Sequence, residues 1–139
     1  MTRFQKISLG IAGITAFSIG AFILIAPQGF YAGYGIVLGP DPSLLSEMRA
    51  PGAGLAALGT IMLAGLFRAA VAPVALAASM TVYIAFPVGR LVSLAVDGMP
   101  SSSVIGALVI EVVIAGLLLA AFRRRAGDTI GNALASEAG

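Results

Sequence analysis

Residues 7–26 read ISLGIAGITAFSIGAFILIA, and no charged residue follows until after Pro40. A helix needs about 20 apolar residues to cross the hydrocarbon of a bilayer. A secretory signal peptide opens in a similar way, but its apolar region runs to only about 7–15 residues. The length of this stretch and the apolar runs that follow it therefore predict a first transmembrane helix. Its flanks agree, with Arg3 and Lys6 before it and Pro27-Gln28-Gly29 after it.

Outward from that span, three more appear. Residues 28–42 read as a loop, with four glycines and two prolines around the aromatic anchors Tyr31 and Tyr34. Asp41-Pro42-Ser43 offers a cap and a first-turn proline, so a second helix is expected over about 43–67, bent at Pro51. Arg68 closes it. A third helix is expected over about 74–96, interrupted by Pro87 and Arg90, and Asp97-Gly98-Met99-Pro100-Ser101 is a turn by composition. A fourth covers about 102–122 and stops at Arg123-Arg124-Arg125. The short connections require antiparallel neighbours. The fold class is thus all-α: a polytopic membrane protein built as an antiparallel four-transmembrane-helix bundle. Residues 1–126 form its single domain, and 127–139 a short mobile cytoplasmic tail.

Composition supports this reading. Hydrophobic residues make up 59% of the 139 and charged residues 10%, against about 45–50% and 25% in ordinary soluble domains. So little charge could not cover the surface of a water-soluble globule. With no Cys and no His, disulfides, thiolate chemistry, imidazole bases, thiolate-held metal sites and histidine-ligated haem are excluded. No cofactor or metal is expected. The net charge of +2 reflects arginines near membrane boundaries, and nucleic acid is not an expected partner.

The basic residues set an orientation. Arg3, Lys6, Arg68 and Arg123 to Arg125 fall on one side if the chain crosses four times. The positive-inside rule makes that side cytoplasmic, together with both termini, in the cell's inner (plasma) membrane. Small residues recur every four positions at Ala12, Ala16 and Gly20, and at Gly52 and Ala56. They are expected to let helices approach closely within the bundle, or failing that at the seam of a homo-oligomer.

Two charges remain inside the spans. Arg90 lies seven residues before Asp97, and Glu111 lies eight after Ser103, about 10 and 12 Å along their helices at 1.5 Å per residue. In an antiparallel pair they reach nearly the same depth and are placed to pair. Left alone, either would cost at least about 2.5–3.5 kcal/mol in the membrane. Tyr83, Arg90 and Asp97 share one helix face, while Glu47 and Arg49 enter from the same outer side. The candidate site is therefore Glu47, Arg49, Tyr83, Arg90, Asp97 and Glu111. Its two arginines and three carboxylates leave one negative charge in excess, so Glu111, the deepest acid, is expected to hold a proton. Three readings stay open. The charges fix helix register, in an accessory subunit of a larger membrane complex; or they bind or help move a small or lipidic ligand; or, ranked below both, they catalyse, although no nucleophile is identifiable.

Glu47-Met48-Arg49 followed by Gly52 and Gly59, then Phe86 and Arg90, then Asp97-Gly98-Met99-Pro100, and finally Glu111 resemble the bacterial four-helix membrane family called domain of unknown function 4345. Tyr34-Gly35 also fits, and the resemblance covers about residues 7–122. Pro51 departs from the pattern. The resemblance implies an architecture and a shared polar cluster rather than a reaction. The small multidrug transporters, also four-helix proteins of this length, carry their membrane glutamate on the first helix, which is uncharged here.

Overall fold

The computed structural model describes residues 1–137, with side chains through residue 122. Helix α1 spans Arg3–Ile25, α2 Pro27–Ala32, α3 Pro42–Phe67, α4 Ala72–Val96 and α5 Ser102–Glu137, with a single 3-10 turn at Ala69–Val71 before α4. Four of these, α1, α3, α4 and α5 through Phe122, are long and apolar enough to cross a membrane. The described residues contain no strand. The chain is an all-α four-helix bundle with the character of a small multi-pass membrane protein.

Local chemistry explains the helix starts. The Thr2 hydroxyl accepts from the Gln5 N–H at 3.2 Å, while the Gln5 side chain accepts from the Thr2 N–H at 2.9 Å. This reciprocal box satisfies two of the donors that a helix start leaves open. Asp41 accepts from the Leu44 N–H at 2.8 Å, with Pro42 at the first helical position of α3. Helix α3 runs unbroken through Pro51, and α4 through Pro87. Helix α4 ends where Gly98 takes a φ of 93°, a left-handed conformation that a side chain disfavours.

Two departures from the expected elements stand out. Residues 27–32, expected to begin a loop, form α2, with Pro27 at its first position. Its aromatic side chains hold it in place: the Phe30 ring lies 5.6 Å from Phe22 and 5.1 Å from Tyr34. Helical backbone also continues past the arginine triplet to Glu137. Arginine and alanine are strong helix formers, so charge ends the apolar span without ending the helix. Of the expected tail, residues 138 and 139 lie outside the described residues.

The helices pack in a ring: α1 on α3, α3 on α4, α4 on α5, and α5 back on α1. The tightest seam joins α1 and α3. A Cβ placed on Gly20 would collide with the Ala56 backbone, and one on Gly59 would lie 2.9 Å from the Gly13 carbonyl oxygen. Of the small residues noted in the sequence, Gly20 thus meets Gly52 and Ala56 inside the bundle, where close backbone approach substitutes for the missing hydrophobic drive between helices. Leu9, Ala12, Met62, Ala75 and Leu118 form the centre of the core.

Candidate functional site

The turn of residues 97–101 brings α4 back along α5 as an antiparallel neighbour. The Arg90 Nε donates to Glu111 Oε1 at 3.1 Å and to Oε2 at 2.9 Å, and a terminal nitrogen, Nη2, donates to Oε1 at 3.0 Å. Such a forked, charge-assisted contact is both stronger and more directional than a single hydrogen bond. The two side chains are 28% and 13% exposed, and among the described residues theirs is the one salt bridge.

This pair sits on the wall of a cavity of about 1060 Å³. Its shape follows from how α5 packs. Ile114, Leu118 and Ala121 of α5 are buried, whereas no residue from Ser102 to Val113 is. At the buried end, the Gln5 amide donates to the Ala121 carbonyl at 3.1 Å, tying α1 to α5. Toward the other end the two helices part, and the cavity fills the gap between Thr15 to Ile23 of α1, the face of α4 from Val82 to Ser93, and Ser103 to Glu111 of α5. Helix α2 and the residues after it close one end. Ser101 Oγ donates to the Tyr34 carbonyl at 3.0 Å, joining that roof to the turn between α4 and α5.

Six of the chain's ten aromatic residues line the cavity: Phe22, Phe30, Tyr31, Tyr34, Tyr83 and Phe86. Phe22, Phe86 and Ile110 are exposed, so the cavity is open rather than sealed. Gly89 and Gly106 also line it, and a Cβ added to either meets nothing within 4 Å. The arrangement offers a largely apolar, aromatic volume with one charged pair and a few hydroxyls, among them Thr15, Ser93 and Ser103, on its wall, which is the usual make-up of a small-molecule pocket. Among the described residues no acidic group of three or more is clustered so as to hold a metal ion.

The six residues singled out in the sequence do not form one cluster. Arg90, Glu111 and Tyr83 share the cavity wall. The Tyr83 hydroxyl, on a side chain buried to 3% exposure, donates to the Ala12 carbonyl at 2.7 Å and pins α4 to α1. Arg49 is exposed and turns away, its Nε donating to the Leu24 carbonyl at 3.1 Å. That carbonyl belongs to the last turn of α1, where helix geometry leaves acceptors open and favours a cation. Glu47 is exposed on α3 and does not line the cavity. Asp97 accepts from Ser93 Oγ at 2.8 Å at the exposed end of α4. The excess negative charge expected at the site therefore does not arise. Both Glu111 oxygens accept from one guanidinium, one to one, and the remaining charges lie elsewhere. Matching depth along two helices places charges at one level, but the rotation of each helix decides which of them meet.

Sequence reasoning missed the aromatic roof, reading Tyr31 and Tyr34 only as interface anchors. Their density beside Phe30 was the available signal. It also passed over Gln5 and Ser8, which are buried polar side chains at the start of α1.

The family described as Domain of unknown function (DUF4345) matches residues 4–122, and the chain belongs to it. No curated protein matches the chain, and no solved structure does.

Proposed function

We propose that the protein is a multi-pass protein of the inner membrane that binds a small lipidic ligand in the cavity between α1, α4 and α5. One observation carries this reading: an aromatic volume of about 1060 Å³ holds the Arg90–Glu111 pair on its wall. Charges in an apolar span are costly to place, and intramembrane ionisable groups commonly mark ligand or ion paths. The ligand's apolar body lies along the aliphatic and aromatic wall, and its polar end meets the pair. Entry is lateral, from the bilayer, where α5 parts from α1.

The orientation proposed with it places both termini in the cytoplasm. The contact of Gln5 with Ala121 supports this, because it brings Arg3 and Lys6 to the same end of the bundle as the point where the arginine triplet begins.

The test is a comparison of co-purifying small molecules. Wild-type protein extracted from membranes in mild detergent is expected to carry a defined amphiphile, identified by mass spectrometry. Gly106→Phe, which projects a ring into the open cavity, is expected to lose it while remaining folded. Equal retention by the filled variant would end the ligand reading.

A second reading has its own support. The forked Arg90–Glu111 contact binds α4 to α5, as a device for helix register in an accessory subunit of a larger membrane complex would. In that case the filled variant keeps full function in cells, and only loss of the pair disrupts assembly.

A further inference from the structure

A guanidinium has two edges able to make a double hydrogen bond. In Arg90, Glu111 occupies the edge formed by Nε and Nη2. The other edge, Nη1 with the second Nη2 hydrogen, has no hydrogen-bond partner among the described residues. The side chain that carries it lines the cavity and is 28% exposed. Among the described residues no other charged side chain lines the cavity, so its wall bears one positive and one negative charge, already in contact.

From this balance we infer the chemical class of the ligand: an uncharged amphiphile whose polar end is an oxygen acceptor, such as an ester or ring carbonyl, received by the free edge of Arg90. The inference rests on the cavity being a ligand site. A carboxylate or phosphate head would bring a second negative charge beside Glu111 into a low-dielectric wall, where an unbalanced charge is disfavoured. An ammonium head would meet the Arg90 charge in the same setting. An uncharged acceptor adds a hydrogen bond to a charged donor without disturbing the balance, and its apolar remainder matches the aromatic lining.

Three probes with the same oleyl chain separate these cases: monoolein, oleate and oleylamine, with decylubiquinone as a ring-carbonyl arm. Each is titrated into the purified full-length chain in detergent micelles, at mildly alkaline pH where oleate is ionised, and followed by native mass spectrometry. Tyrosine emission provides a second readout for the oleyl probes, because all three tyrosines line the cavity and the chain has no Trp.

Monoolein or decylubiquinone is expected to bind about tenfold or more tightly than either charged probe. Which of the two binds better separates an acyl ester from a ring carbonyl as the acceptor. Glu111→Gln leaves the Arg90 charge uncompensated and is expected to reverse the preference toward oleate by a similar factor. Either charged probe binding wild type as tightly as the uncharged ones overturns the inference about class while leaving the ligand site standing. If no probe binds wild type better than Gly106→Phe, the ligand site itself fails. Should Glu111→Gln not fold, the wild-type ranking of the three head charges decides alone.

Discussion

The Arg90 guanidinium on α4 and the Glu111 carboxylate on α5 meet at 2.9 Å although 21 residues separate them in the chain. The turn at Gly98 makes this possible by returning the two helices side by side at one level. Removing one partner strands the other in apolar surroundings. Arg90→Ala and Glu111→Ala are each expected to lower stability by about 1.5–3 kcal/mol, the worth of a hydrogen bond to a charged group. Thermal unfolding in micelles measures this. The exchange Arg90→Glu with Glu111→Arg is expected to recover much of the loss, and a double variant no better than the worse single one would count against a mutual contact.

Two pairs of helical glycines have opposite expected behaviour. Gly20→Ala and Gly59→Ala drive a methyl into the backbone of the facing helix, and overpacking of this kind costs about 1–3 kcal/mol. Gly89→Ala and Gly106→Ala meet open space and are expected to be neutral, or stabilising by up to about 1 kcal/mol through helix propensity. Melting temperatures of the four variants provide the comparison. Equal damage from both classes would contradict the cavity.

Tyr83→Phe removes the hydroxyl that reaches the Ala12 carbonyl and keeps the ring in the core. The expected loss is about 0.5–1.5 kcal/mol, the net worth of one such bond. It is read from the shift in unfolding midpoint, and an unchanged midpoint would mean that the hydroxyl does not hold α4 to α1.

Arg49→Ala uncovers the Leu24 carbonyl at the end of α1. A cation at a helix C-terminus is worth about 0.3–1 kcal/mol, so a small destabilisation is expected, without any effect on ligand retention. Glu47→Gln is expected to change neither quantity. Loss of ligand on replacing Arg49 would place it in the site after all.

Reporter fusions test the orientation. A cytoplasm-active reporter joined after Gly139 is expected to be active, and the same reporter inserted at Met99 inactive. The reverse pattern would invert the proposed topology.

The four spans were legible along the chain because each is a long apolar run closed by charge or by Gly and Pro, and bilayer thickness imposes that length on any sequence. The level of Arg90 and Glu111 was legible too, since rise per residue converts spacing into depth. Rotation about a helix axis is a different matter. Glu47, Arg49 and Asp97 enter from the same side as the pair, yet Arg49 is drawn to α1 by an open carbonyl and Asp97 accepts from Ser93 one turn before it.

The cavity could not be read from residue order at all. It exists because α5 packs against α1 near Ala121 and departs from it toward Ser102, while α2 folds its aromatic side chains over the gap. Hydropathy and charge counts report how a residue suits lipid or water, and they were enough to establish the membrane class and the number of spans. The angle between two helices instead depends on residues distant in sequence fitting together, as Gly20 does against the Ala56 backbone. The two charges that lipid disfavours were thus visible from the start, but their seat on an open aromatic wall follows from packing.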